Sequence, residues 1–136
     1  MNDTLNDPTR SGPPLSVEPG RTLRLSRNEI ESLCTKAARG AGMSWGLAEE
    51  AGYATGWLAS RGLDGAGALA RHLRKAQGDA WQDICPVVQP GEWRARTAGQ
   101  SLCPIALGAT LSDYISVDRA LFDDHGLRVG EVNCLG

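Results

Sequence analysis

The most regular hydrophobic pattern in the chain lies between residues 26 and 76 and predicts three consecutive helices. Ser26 and Glu29 form a capping box at the start, in which each side chain accepts a hydrogen bond from the backbone amide of the other. Ser44 and Asp64 can cap the second and third helices, and glycines stand where each helix should end. We therefore expect a compact helical unit over this segment.

Small residues dominate the joint between the first two helices and one face of the second helix. The joint is the glycine-rich segment 42–46, which includes Trp45. Ala48, Gly52 and Gly56 then fall four apart and form a ridge almost without side chains. Each interior glycine costs about 1 kcal/mol relative to alanine, so close packing must offset that cost. We expect the ridge to be part of an interface with a partner or with a second copy.

The pattern changes after Gly78, where prolines interrupt the chain and helical periodicity is lost. Residues 93–97 alternate in polarity and predict a strand. The apolar run 102–111 predicts either a strand or the entry to a short helix, and residues 127–132 predict a second strand. Helices first and strands later indicate an α+β fold, with an N-terminal three-helix unit followed by a small strand-rich part.

The composition divides the chain into a tail and one domain. Residues 1–22 are rich in proline and show no hydrophobic period, so we expect a disordered tail. Residues 23–136 are expected to form a single α+β domain, helical over 26–76 and strand-rich over 84–134. Leu, Ile, Val and Phe number only 27 of 136 residues, so the domain is short of core. We therefore expect it to associate with a protein partner or with itself.

The charge and the cysteines exclude several function classes. The net charge is −2, without the basic field that a nucleic-acid binder needs. The second helix carries Glu49 and Glu50 and no basic residue before Arg61, which argues against a recognition helix. No run approaches the roughly 18 apolar residues of a membrane span, and no apolar signal segment follows the N-terminus. The four cysteines form no C-x-x-C motif, so we expect free thiols in a reducing cytoplasm.

Three stretches carry a resemblance to a known family. They are 36–52 (KAARGAGMSWGLAEEAG), 57–65 (WLASRGLDG) and 102–109 (LCPIALGA), followed by Asp113. Together they resemble the bacterial proteins catalogued as domain of unknown function 3726, over roughly residues 25–132. The family has no assigned function, so the resemblance implies no chemistry. Its members are longer, which implies that this chain is shorter than the full family domain.

The first two helices are also similar to the N-terminal helices of the malate and L-lactate dehydrogenase family that is not Rossmann-type. That family carries a histidine-containing motif after the second helix. Residues 61–65 (RGLDG) contain no histidine, so this second resemblance implies no dehydrogenase activity.

Three residues form the candidate ligand-binding site: Trp45, Cys103 and Asp113. Trp45 either lines a cleft at the joint or simply plugs it. A nucleophilic Cys103 needs a nearby base or cation, and His72 and His125 are both distant along the chain. His72 also belongs to a basic last turn of the third helix, where cations suit the carbonyl end. A buried, inert Cys103 is therefore expected, and no ligand spacing indicates a metal or a cofactor.

Two functions follow as expectations. The first is a small cytoplasmic binding or accessory module that associates with a partner or with itself. The alternative is an enzyme, or a subunit of one, with a site near Trp45, Cys103 and Asp113, which requires these residues to converge on one open pocket. The sequence assigns no catalytic residue, no cofactor and no substrate.

Overall fold

The structure, a computed structural model, describes residue 20, residues 22–122 and residues 125–133. Three helices come first, and a small sheet with a fourth helix follows, so the predicted α+β class is confirmed. Most of the predicted tail, with Asp123, Asp124 and residues 134–136, lies outside the described residues. The elements are α1 (Arg27–Gly40), α2 (Trp45–Ala59), α3 (Gly65–Lys75), β1 (Pro86–Val87), β2 (Glu92–Ala95), α4 (Pro104–Tyr114) and β3 (Arg128–Val129), with short 3-10 helices at Trp81–Ile84 and Arg119–Leu121.

The three N-terminal helices begin at the caps that the sequence predicts. The Ser26 amide donates to Glu29 Oε2 at 2.7 Å, and the Glu29 amide donates to Ser26 Oγ at 3.3 Å, which completes the capping box. The Ser26 amide, together with the Ser26 hydroxyl that donates to the same Oε2 at 2.8 Å, holds the pKa of the Glu29 carboxyl below its usual value. Ser44 Oγ and Asp64 Oδ1 accept from backbone amides in the first turns of α2 and α3. Local capping therefore sets where each helix starts.

The glycine ridge of α2 packs against α1 of the same chain. A Cβ added to Gly52 would lie 2.6 Å from the Glu31 carbonyl oxygen, and one added to Gly56 would lie 2.8 Å from the Glu31 carboxyl carbon. The Thr35 hydroxyl also contacts the Gly52 position. The close packing predicted for the ridge is thus present, but the partner surface is intramolecular. The ridge therefore gives no support to self-association.

The joint between α1 and α2 is closed by Trp81. Gly42 adopts a left-handed φ of 96°, which favours glycine. Trp81 Nε1 donates to the Ala41 carbonyl at 2.9 Å and lies 3.3 Å from where a Cβ on Gly42 would stand. Trp45, in contrast, is 67% exposed. Trp81 therefore plugs the joint between α1 and α2, a role that the sequence suggested for Trp45.

The sheet is small and mixed. β1 pairs antiparallel with β2 at Pro86↔Ala95, and β2 pairs parallel with β3 at Trp93↔Val129. The strand predicted over 93–97 is observed as β2, which begins one residue earlier and ends two residues earlier. The run 102–111, predicted as either a strand or the entry to a short helix, contains some of each. Leu102 forms a single parallel bridge with Val132, and α4 begins two residues later.

The core is built largely from small side chains, as the composition indicates. It joins one face each of α1, α2 and α3 to the start of α4. Because alanine side chains fill little volume, the packing depends on close helix approach, and space remains where approach is looser. Its buried members are Cys34, Ala38, Met43, Ala48, Ala51, Leu69, Ala76, Ile84, Cys103 and Ala106.

Candidate functional site

Cys103 is held between the sheet and the start of α4. Its backbone is extended (φ −67°, ψ 121°), and it occupies the N-cap position of α4 without a side-chain capping hydrogen bond, with Pro104 in the first helical turn. The Cys103 amide donates to the Ile84 carbonyl at 2.8 Å. The side chain is fully buried, as the sequence predicted. The thiol therefore lies at the amino end of a helix, where the helix dipole favours negative charge.

His72 brings an imidazole to this thiol. Its Nε2 lies 3.2 Å from Cys103 Sγ, although 31 residues separate the two along the chain. The imidazole ring makes a T-shaped contact with Trp81, with the ring centroids 5.7 Å apart. The histidine is only 6% exposed. The structure thus supplies the neighbouring base that no spacing in the sequence selected.

His72 corrects one expectation about α3. The sequence placed His72 in the basic last turn of α3, where cations suit the carbonyl end. The structure instead buries Gly65, Leu69 and His72. These positions fall four and then three residues apart, so they share one helix face. The missed signal is the helical spacing: His72 comes three residues after the buried Leu69 and so lies on the same face of α3.

Both members of the pair favour their neutral forms. Burial raises the pKa of the Cys103 thiol, the backbone amides of Ala106 and Ile105 oppose that rise, and Cys85 adds to it. Neither amide makes a capping hydrogen bond to the sulfur. Burial lowers the pKa of His72, and the charge of Lys75 lowers it further. At neutral pH the site therefore holds a thiol and an uncharged imidazole.

The second ring nitrogen of His72 has no hydrogen-bond partner among the described residues. If the thiol donates to Nε2, then Nδ1 carries a proton without an acceptor; in the other tautomer, Nδ1 is an acceptor without a donor. A buried polar atom left in this state costs about 1–3 kcal/mol. Such an atom beside a thiol indicates a place where another polar group is needed.

An apolar cavity of about 190 Å³ is lined by His72 and by Pro104 and Ile105, the two residues that follow Cys103. It lies where α2, α3 and the first turn of α4 meet, and small residues on α2 and α3 leave the space. An apolar cavity of about 150 Å³ holds a molecule the size of benzene, so this one fits a short acyl chain or a single ring. Its lining residues are Ala54, Thr55, Leu58, Gly65, Ala68, Leu69, His72, Pro104 and Ile105.

The three residues proposed from the sequence do not converge. Trp45 is exposed at the start of α2, where the Arg39 guanidinium stacks 4.6 Å from its ring centroid. Cys103 and Asp113 stand at the two ends of α4, ten residues apart, which is about 15 Å along a helix axis. Of the three, Cys103 alone belongs to the site described above. Ligand-binding roles for Trp45 and Asp113 stay predictions.

Metal and membrane chemistry have no visible support in the part of the chain that the structure describes. No group of three His, Cys, Asp or Glu side chains there is placed to hold a metal ion. Cys34, Cys85 and Cys103 are free thiols. No helix within the described ranges has the length and apolar character needed to cross a bilayer.

Comparison with known proteins gives one match. The model of a family described as "Protein of unknown function (DUF3726)" matches residues 25–103, more than half of the chain. The matched segment contains His72 and ends on Cys103. No curated protein and no solved structure matches.

Proposed function

Since the chain belongs to the DUF3726 family, which carries no assigned activity, we propose a function from the site itself: a thiol-dependent acyl-transfer enzyme, or a subunit of one. Cys103 is the nucleophile and His72 is its base. The observation that carries this proposal is the 3.2 Å approach of His72 Nε2 to Cys103 Sγ. A nucleophile within hydrogen-bond reach of a base is the signature of covalent catalysis.

The reaction follows from the protonation states. Cys103 Sγ attacks the carbonyl carbon of an ester or thioester while its proton passes to His72 Nε2. The carbonyl π electrons move to oxygen, and the amides of Ile105 and Ala106 at the start of α4 stabilise that charge. When the carbonyl re-forms, the leaving group departs and takes the proton from Nε2. Water or a second acceptor then releases the acyl group by the same steps in reverse.

The cavity sets the substrate class. Its walls are almost entirely apolar, with His72 and Thr55 as the polar residues, so it suits the hydrocarbon part of a small acyl group. At about 190 Å³ it is smaller than the 300–1,000 Å³ of most ligand pockets. The rest of the substrate would therefore lie outside, at the half-buried rim formed by Ala54, Leu58 and Ala68.

A reducing compartment favours the proposed chemistry. A nucleophilic thiol is lost when it is oxidised, and cytosolic proteins keep their thiols reduced. The three described cysteines are all free, which supports a cytoplasmic location as part of the same proposal.

Thiol labelling of the folded protein tests the function. Cys34 is the internal control, because it is buried in the same core at 8% exposure. We expect iodoacetamide to modify Cys103 at least about 10-fold faster than Cys34 at neutral pH, since the imidazole assists removal of the thiol proton. His72→Gln should remove the difference while Cys34 stays unchanged.

Acylation by p-nitrophenyl acetate provides the second measurement. We expect one equivalent of p-nitrophenol per chain in a burst that disappears in Cys103→Ser. If Cys103 reacts only at the rate of global unfolding, and no burst appears, the pair only fills the core and the enzyme proposal is wrong.

Self-association remains a second candidate, now on a different surface. Three exposed aromatic rings follow one side of α2, and an arginine guanidinium stacks on each. Trp, Tyr and Arg are the residues most enriched at interface hot spots. The pairs are Arg39 on Trp45, Arg27 on Tyr53 and Arg61 on Trp57.

A second copy is the occupant that this surface fits. In an antiparallel contact of two α2 helices centred on Tyr53, Trp45 of one copy lies opposite Arg61 of the other. Glu49 then lies opposite Trp57 of the other copy and near its Arg61, so cations, rings and carboxylates are complementary. Size-exclusion chromatography with light scattering should show a dimer that Tyr53→Glu dissociates. Val117→Glu, at an apolar residue 77% exposed outside the helical unit, is the control; a monomer at all concentrations removes this candidate.

A further inference from the structure

Asn133 carries the other buried polar atom without a partner in the described part of the chain. Its side chain is only 6% exposed, and its Oδ1 accepts no hydrogen bond from any described residue. An amide oxygen in this condition costs about as much as the unpaired Nδ1 of His72. Two such atoms in one small domain call for a common explanation.

The backbone register places Asn133 beside the nucleophile. The Leu102 amide donates to the Glu131 carbonyl at 2.7 Å, and the Asn133 amide donates to the Leu102 carbonyl at 2.7 Å. This pattern is the parallel bridge between Leu102 and Val132. Because side chains alternate along extended segments, the residues that follow each bridge partner, Cys103 and Asn133, project from the same face. Neighbouring extended segments lie about 4.8 Å apart, so the backbone brings Asn133 into the neighbourhood of Cys103.

The two unpaired atoms are chemically complementary. When His72 Nε2 accepts the thiol proton, the imidazole tautomer carries its own proton on Nδ1, which is then a donor without an acceptor. Asn133 Oδ1 is an acceptor without a donor. Lys75 and Cys103 are the titratable groups that act on His72, and neither supplies a carboxylate that could orient the ring. A neutral amide oxygen fits this role without charging the site.

We propose that Asn133 is a positioning residue for His72, so that Cys103, His72 and Asn133 act as a Cys–His–Asn triad. The inference rests on the proposed function. The Nδ1–H to Oδ1 bond is not formed in this structure, and it requires rotation of the Asn133 side chain. Cys–His–Asn arrangements occur on unrelated folds, where the third residue fixes the tautomer and orientation of the imidazole.

The experiment compares Asn133→Ala and Asn133→Asp with Asn28→Ala, an exposed control on α1. Each folded variant is acylated with p-nitrophenyl acetate across a range of pH. For Asn133→Ala we expect the acylation rate constant to fall about 10- to 100-fold at unchanged apparent affinity, less than for loss of the base itself. Asn133→Asp should restore part of the rate and move the acidic limb of the pH profile to higher pH, because a carboxylate beside His72 raises its pKa.

A merely structural Asn133 gives a different result. Both variants would then lower the melting temperature and leave the pH profile of the folded fraction in place, which overturns the inference. If Cys103→Ser abolishes the burst but Asn133→Ala matches the wild type, the proposed function stands and the triad does not.

A second readout is independent of catalysis. Long-range proton–nitrogen NMR correlation of the imidazole reports which nitrogen of His72 is protonated. We expect protonation at Nδ1 in the wild type and a mixture of tautomers in Asn133→Ala, even if no ester reacts. An unchanged tautomer in Asn133→Ala overturns the inference.

Discussion

The two sides of α2 are both lined by small residues, yet one is closed and the other holds a cavity. On the α1 side, Gly52 and Gly56 have no Cβ, so the backbone and side chain of Glu31 pack directly against the backbone of α2. On the side that faces α3 and α4, Ala54 and Thr55 border a space of about 190 Å³. Small side chains permit close packing but do not produce it; the length and direction of the opposing element decide whether space remains.

The closed side should be the more sensitive to added volume, and Gly52→Ala is the largest effect we expect. Alanine would gain about 1 kcal/mol in helix propensity, but its Cβ would lie 2.6 Å from the Glu31 carbonyl oxygen. The backbone of α1 must then move, so we expect a net loss of about 1–3 kcal/mol in the free energy of unfolding, measured by urea denaturation.

The matched control is Gly108→Ala on α4. Gly108 is exposed, and a Cβ there meets no atom within 4 Å. We expect stabilisation of up to about 1 kcal/mol. Equal effects at positions 52 and 108 would show that α1 and α2 are not packed as described.

The cavity side contains one tight contact, at Gly65. A Cβ there would lie 2.8 Å from the Thr55 carbonyl oxygen and 2.9 Å from Leu58 Cβ. Gly65→Ala should destabilise the fold by about 1–2 kcal/mol in the same denaturation experiment, because the start of α3 must move away from α2. The same shift alters the cavity, so labelling of Cys103 by iodoacetamide should change more than labelling of Cys34.

Ala68→Leu tests the open part of the cavity and should have the opposite sign. The three added carbon atoms enter existing space, and each buried CH₂-sized group contributes about 0.8 kcal/mol. We expect a gain of about 0.5–1 kcal/mol in stability after strain, together with slower acylation of Cys103. Destabilisation as large as that of Gly52→Ala would mean that the two sides of α2 do not differ.

The smallest effect that we expect is a dependence of stability on pH. The pKa of His72 is lowered from 6.5 in the folded state, so the unfolded chain binds the proton first and stability falls as pH drops below about 6.5. The pKa of Cys103 is raised above 9.0, so stability also falls as pH rises past about 9. Melting temperatures should show both limbs; His72→Gln should flatten the acidic limb and Cys103→Ser the alkaline one.

The sequence predicts what depends on neighbours along the chain. The capping box of Ser26 and Glu29 is such a feature, because both partners lie within one turn. The ridge at Gly52 was also visible, and its need for a close partner was correct. Its partner, Glu31 and Thr35 on α1, was not predicted, since helical periodicity does not say which surfaces meet.

The site was only partly predictable for the same reason. Burial of Cys103 followed from the apolar run around it. Its contact with His72 spans 31 positions and depends on how α3 and α4 cross, which no local pattern encodes. Trp45 and Asp113 were chosen for residue type and family resemblance, and the helix that separates Asp113 from Cys103 was itself left open. Asn133 carried no signal, because its position is set by a single parallel bridge.

Trp81 has a consequence for how this protein can change over time. One indole closes the turn after α1 through its bond to the Ala41 carbonyl and also borders the His72 ring. A substitution at this position changes both the stability of the helical unit and the orientation of the imidazole, so selection acts on it for two reasons. Position 81 should therefore tolerate less drift than its half-buried environment suggests, and the fold and the chemistry cannot diverge independently through it.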